Sequence, residues 1–208
     1  MTNLPFRLQN NVRNYNFADC LKHITKLGKS RFGQKFELHK CDHNILYKLI
    51  CYAIRDEERC TELGMDINKG IILAGPVGCG KSAFMNLINE FNYPDRRYKI
   101  LSTKEVAVFY NIEGYKYINN IADHLKNYCF DDLGVEPFLK HMGNECNTME
   151  FILFKRYDLF KTQGILTHIT TNLNADQVES IYGTRIRSRM REMFNLVAFS
   201  SDTPDKRK

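Results

Sequence analysis

The sequence predicts an α/β fold, in which a mostly parallel sheet is covered by helices on both faces. Three observations predict it. Short apolar runs that read as buried strands recur at 71–74, 98–101, 128–130, 165–170 and 196–199. Stretches of helical period lie between them. The runs end in glycine-rich or polar clusters, as expected where parallel strands carry a site at their C-terminal ends.

Taken in order, residues 1–40 show no sustained period beyond a short helix over 17–27. Ile45, Leu46, Leu49, Ile50 and Ala53 recur at helical spacing, predicting a helix over 42–60 capped by Asp42. The run 71–74 is followed directly by glycines and a helix over 82–91. Helices over 103–110 and 117–126 separate the second and third runs. A long helix over 144–160 precedes the fourth, and two short ones over 175–182 and 184–193 precede the last. Neither an internal repeat nor a low-complexity segment interrupts the alternation.

Composition excludes several classes. Hydrophobic residues at 43% and charged residues at 26% describe a globular chain, not a disordered one. No stretch approaches the roughly 18 uninterrupted apolar residues that span a bilayer. The first residues lack the apolar core of a signal peptide, so a cytoplasmic location is expected. Seven cysteines occur without a C-x-x-C pair, which argues against a disulfide framework or a zinc site. Residues 1–40 hold eight Lys/Arg against Asp19 and Glu37, and so carry the chain's whole net charge of +6. The expected division is a basic extension over 1–40, contacting DNA or a protein partner, and a nucleotide-binding domain over 41–208.

The chemistry begins at Gly75, Pro76, Val77, Gly78, Cys79, Gly80, Lys81, Ser82 and Ala83. The first eight match G-x-x-x-x-G-K-[ST] between a strand and a helix. Its glycines let backbone N–H groups turn inward onto phosphate oxygens, and the helix start adds its positive dipole end. Lys81 then reaches the β- and γ-phosphates of ATP, and the Ser82 hydroxyl ligates Mg2+. The third run ends in Asp131 and Asp132. Asp131 is the expected magnesium partner through water, and Asp132 the expected polariser of the attacking water.

The fourth run ends in Thr170, Thr171 and Asn172, which sets Asn172 beside the edge of the phosphate strand as a γ-phosphate sensor. Beyond it, Arg185 and Arg189 share one helix face by i,i+4 spacing, Arg187 and Arg191 another. The stripe Ile186, Met190, Met193 and Phe194 between the two pairs faces the core. One pair suits an arginine finger crossing a subunit interface, the other nucleic-acid phosphates.

In order, GPVGCGKS, YCFDD, ITTN and YGTRIRSRMRE resemble the DnaC/IstB branch of the AAA+ ATPases, bacterial helicase loaders and transposition helpers. The resemblance covers roughly residues 65–200. It implies an AAA+ P-loop sheet, Walker A at 75–82, Walker B at Asp131–Asp132, sensor 1 at Asn172 and an arginine-finger box at 185–189, with Arg189 the finger and Arg185 its companion. The residues after Phe199 are too few for the helical lid of most AAA+ proteins, and Arg207 alone is placed like that lid's second sensor. Asp132 stands where Glu is commoner.

The expected function is therefore an ATP-hydrolysing DNA replication accessory protein that resembles a helicase loader. Its expected partners are single-stranded DNA, a replicative helicase or a transposase, and further copies of itself when ATP is bound. A transposition helper, a small-molecule kinase and a non-hydrolysing ATP-gated adaptor stay open as alternatives.

Overall fold

The computed structural model describes residues 5–9 and 12–207. A hairpin of β1 (Phe6–Gln9) and β2 (Val12–Tyr15) leads into α1 (Phe17–Phe32). Two helices follow, α2 (His43–Ala53) and α3 (Glu57–Glu62), and then the central sheet begins with β3 (Gly70–Ala74). Next come α4 (Lys81–Ile88), β4 (Tyr98–Ser102), α5 (Thr103–Glu113), α6 (Tyr115–Ala122) and β5 (Asn127–Leu133). A small hairpin of β6 (Leu139–His141) and β7 (Asn144–Cys146) precedes α7 (Thr148–Gln163). The chain then forms β8 (Thr167–Thr171), α8 (Ala175–Met193) and β9 (Phe194–Ala198).

The sheet order is β4-β5-β8-β3-β9, and every pair is parallel. Alternation along the strands divides the core in two. Ile71 and Leu73 of β3 and Cys129 of β5 face one layer, with α1, α2 and α4. Tyr128 and Phe130 of β5, with Ile169, face the other, built from α5 to α8. Through Cys20 and Ile24, both fully buried, α1 joins the same apolar cluster as α2 and α4. Arg31 fastens its end to α4, bonding Asn86 Oδ1 (2.8 Å) and pairing with Glu90. Among the described residues, no helix is long and apolar enough to cross a membrane.

Three expectations need correction. The helix over 42–60 is two helices, because Arg55 takes a left-handed turn (φ 60°) and the Asp56 side chain accepts from Arg59 N at 3.1 Å to start α3. Asp42 does not cap α2 with its side chain; its Oδ2 accepts from His39 N at 2.9 Å instead. The helix expected from 144 starts at Thr148, where Asn147 Oδ1 accepts from Glu150 N at 3.1 Å; residues 144–146 pair as β7. Two hairpins with strands of three or four residues escaped the sequence reading, since such runs are too short to show a period.

Candidate nucleotide site

The site lies at the C-terminal ends of β3, β5 and β8, where a parallel sheet presents loops rather than pleats. β3 runs into the glycine loop, and α4 begins at Lys81 after Gly80, whose φ of 104° suits only a residue without a Cβ. β8 lies between β3 and β5, with Ala74 paired to Thr171 and Gly75 N donating to Thr171 O at 3.1 Å. Asn172 therefore follows the strand adjacent to the phosphate loop.

A cleft of about 940 Å³ opens here. Val77, Gly78, Gly80, Lys81, Ser82 and Ala83 line it from the loop and helix side, and Asp132 and Asn172 from the strand ends. Lys81 is 5% exposed, and its Nζ donates to the carbonyls of Gly75 (2.9 Å) and Pro76 (2.8 Å). The ammonium is thus held by the loop's own carbonyls, at the mouth of the cleft. Cys79 is fully buried beneath, and burial pushes its thiol pKa up.

The two aspartates sit on an irregularity. The β5–β8 register shifts between Phe130 and Leu133, and Asp132 adopts φ 59°. One hydroxyl organises both: Thr170 Oγ1 donates to Asp131 Oδ1 (2.6 Å) and accepts from Asp132 N (2.8 Å). Thr103 Oγ1 holds the Asp132 carbonyl at 2.8 Å. A left-handed, non-glycine residue in a strand is strained backbone, and its effect here is to turn the Asp132 side chain into the cleft. Burial, and then the charge of Asp131, raise the Asp132 pKa; Lys81 and Arg207 oppose the rise. Thr170 read in the sequence as part of a polar cluster, and its bridging role had no sequence signal.

The donor set suits a magnesium ion held with a nucleotide. The Ser82 hydroxyl, in the first turn of α4, borders the cleft, whereas the Asp131 carboxylate, held by Thr170, stands next to Asp132 without lining the cleft itself. Both are oxygen donors of the kind this hard cation takes, Asp131 through a bridging water.

A strap over the loop was not foreseen. Residues 203–207 cross the phosphate loop, where Lys206 N donates to Gly78 O (3.1 Å) and Lys206 Nζ to Cys79 O (2.7 Å). Nζ also pairs with the fully buried Asp42 and lies 5.0 Å from the Phe84 ring centroid. The Asp205 carboxylate fills the space beside Gly78, since a Cβ there would meet it at 1.9 Å. Arg207 lines the cleft with them. Phe32 at the end of α1, and Phe36, Glu37 and His39 from the segment after it, also line the cleft.

The arginines of α8 lie elsewhere. Gly183 (φ 82°, ψ 162°) breaks this helix, dividing it where two helices were expected. Ile186, Met190, Met193 and Phe194 are buried as a stripe. Arg187 pairs with Glu179 and, at 3.8 Å, with Asp176. Arg189 stacks on its own chain's α7, 3.7 Å from the Phe154 ring centroid and 4.6 Å from that of Tyr157. Arg185 is exposed, with no hydrogen bond or ion pair among the described residues. Neither Arg185 nor Arg189 lines the phosphate cleft of its own chain.

Compared with family models and with curated proteins, the sequence matches none. Solved structures do match in fold. The DnaC helicase loader is 20% identical with a TM-score of 0.54, over 79% of this chain and 94% of that one. A putative primosome component from Streptococcus pyogenes serotype M3 is 16% identical with a TM-score of 0.54, over 80% and 83%. DnaA from Aquifex aeolicus, solved with AMPPCP bound, is 16% identical with a TM-score of 0.52, over 82% of this chain and half of that one. The chain thus shares the fold of these solved structures.

Proposed function

With that shared fold as the premise, we propose that this protein binds and hydrolyses ATP as a replication accessory factor of the helicase-loader type. One observation carries the reading. Lys81, Asp132 and Asn172 line one cleft, while Arg185, with no partner among the described residues, stands on a helix outside it.

The division of labour follows from the chemistry. Backbone N–H groups of residues 78–82 and the start of α4 cradle the phosphates. Lys81 leaves the carbonyls of Gly75 and Pro76 for the β- and γ-phosphates, an exchange of weak acceptors for charged ones. Ser82, and Asp131 through water, would hold Mg2+, which would supply positive charge to the phosphates. Asp132 orients the attacking water and accepts its proton, and Asn172 contacts the γ-phosphate or that water. Arg185 completes the site of a neighbouring copy, where one arginine is worth about 10³–10⁵ in rate. The resemblance favours Arg189 as the finger. Its stacking on Phe154 and Tyr157 supports reading Arg189 as a brace of Arg185's helix against α7, with Arg185 the residue free to reach a neighbour.

The basic surface of residues 1–40 is proposed to meet single-stranded DNA or the helicase. Lys22, Lys26 and Lys29 lie along α1, at a spacing that sets them toward one side of the helix. Helicase loading and replication are taken from the DnaC-like neighbours. Turnover measured against the protein's own concentration, with and without single-stranded DNA, tests the proposal. Wild type should turn over faster per copy as concentration rises. Arg185→Ala should keep the dilute basal rate and lose the rise; a rise equal to wild type in that variant contradicts the interface reading.

A further inference from the structure

Between the phosphate cleft and the arginines lies a set of contacts that the proposed chemistry does not use. β5 ends at Leu133, and the chain turns at Gly134, whose N–H donates to Glu136 Oε2 at 2.8 Å. The turn closes back on the cleft, with Val135 N donating to Asp132 O at 3.3 Å. Glu136 Oε1 accepts from the hydroxyl of Tyr182. Tyr182 is buried, and it is the last residue before the break at Gly183. Asn147 Nδ2 holds the preceding carbonyl, Ile181 O, at 3.2 Å.

The same turn also touches the sensor strand. Leu173, next to Asn172, packs so closely on Gly134 that a Cβ there would lie 2.4 Å from Leu173 Cδ1. One short turn therefore contacts the Asp131–Asp132 bulge, the end of β8 and the hinge of α8. A phenol donating to a half-buried carboxylate makes a strong, directional bond. Burial and the neighbouring Glu136 both raise the Tyr182 pKa, which keeps the phenol a donor. On the far side of the hinge, Gly183 is the one residue of α8 with non-helical backbone, so rotation there leaves both helical halves intact.

We infer that the Glu136–Tyr182 hydrogen bond is the link by which occupancy of the phosphate cleft sets the angle of residues 184–193, and so the direction of Arg185. Tyr182 and Glu136 are positioning residues on this view. The link rests on reading the cleft as an ATP site, but not on assembly. A γ-phosphate brought against Asp132, which lines the cleft, reorders the Asp131–Asp132 bulge. The displacement passes through the Gly134–Glu136 turn to Tyr182, and Arg187, paired with Glu179 and Asp176 across the Gly183 break, carries it to residues 184–193.

Amide hydrogen exchange with a non-hydrolysable ATP analogue and Mg2+ tests it in wild type, Tyr182→Phe, Glu136→Ala and Glu136→Gln. Protection of residues 78–84 reports binding, and exchange over 181–189 reports the link. All four proteins should show protection at 78–84. Wild type should also change exchange at 181–189 severalfold. Tyr182→Phe and Glu136→Ala should lose that second response, and Glu136→Gln, whose amide oxygen still accepts, should recover part of it. Glu136 is only half-buried, so its truncation tests the link even where Tyr182→Phe folds poorly. A response at 181–189 in Tyr182→Phe and Glu136→Ala equal to wild type overturns the link. So does wild-type protection at 78–84 with no response at 181–189. Absence of protection at 78–84 in wild type overturns the ATP-site reading, and the link with it.

Discussion

The two ends of the central sheet hold similar polar groups and use them in opposite ways. At the N-terminal ends of the strands, Arg156 is 0% exposed and pairs with no carboxylate among the described residues. Its guanidinium instead donates to Thr167 Oγ1 (3.0 Å) and to the carbonyls of His124 (2.6 Å), Lys126 (3.0 Å) and Leu166 (2.9 Å). Burial lowers its pKa to about 10. Asn195 Nδ2 ties β9 to the carbonyl of Asp66 (2.8 Å), and Asn127 Oδ1 ties β5 to Leu166 N (2.9 Å). At the C-terminal ends, Asp132, Asn172 and Arg207 line an open cleft, and the Lys81 ammonium borders it with only two of its three donors taken by loop carbonyls. Buried charge that is saturated by its own chain is architecture. Charge aimed into a cleft has capacity left for a ligand.

Substitutions should separate the two ends. The largest effect on folding is expected from Arg156→Leu, which leaves the buried Leu166 carbonyl, the part-buried His124 and Lys126 carbonyls and the Thr167 hydroxyl without their donor. A loss on the order of 3 kcal/mol or more is expected in denaturant unfolding, from the cost of buried unsatisfied groups. Were the loss under about 1 kcal/mol, in the range of ordinary substitutions, the buried guanidinium would be dispensable.

At the other end, Asp132→Asn should lower turnover by about 10²–10⁴, the usual span for a general base, while sparing ATP binding. Its effect on stability is smaller and has the opposite sign. The folded pKa of Asp132 is raised, so the folded chain binds the proton more tightly than the unfolded one. Stability therefore falls as pH rises from the unfolded value through the folded one. Asp132→Asn should be slightly more stable than wild type near neutral pH, and the gain should vanish below the unfolded carboxylate pKa. Thermal melts at acid and neutral pH check the sign; a neutral-pH loss of stability would show that the charged carboxylate supports the fold.

How much the sequence revealed follows the same division. The strand–glycine loop–helix geometry at 75–82 was legible because its residues are contiguous and it is made by glycine backbone and a helix start. The Ile186–Met193 stripe was legible by period, and the Gly183 break by the glycine itself. Asp42 and Lys206, 164 residues apart, were not, since each has an ordinary local reading as a helix cap or a solvated tail residue. Arg156 gave no sign of burial, because its partners are mostly main-chain carbonyls that no residue type announces. The charge boundary near residue 40 is real in the sequence, yet Cys20 and Ile24 of α1 pack into the common core. Charge reports what faces water, and packing is set by the few apolar residues on the other side of the helix.

The most direct test of a site shared between copies is to mix two inactive ones. Asp132→Asn keeps Arg185 but lacks the base, and Arg185→Ala keeps the base but lacks the arginine. Each alone should turn over ATP at no more than the dilute basal rate. If Arg185 acts on a neighbouring copy, an equimolar mixture should regain a substantial fraction of wild-type turnover, because some interfaces pair an intact Asp132 with an intact Arg185. Turnover of the mixture equal to the average of its components would contradict that arrangement and confine catalysis to the single chain.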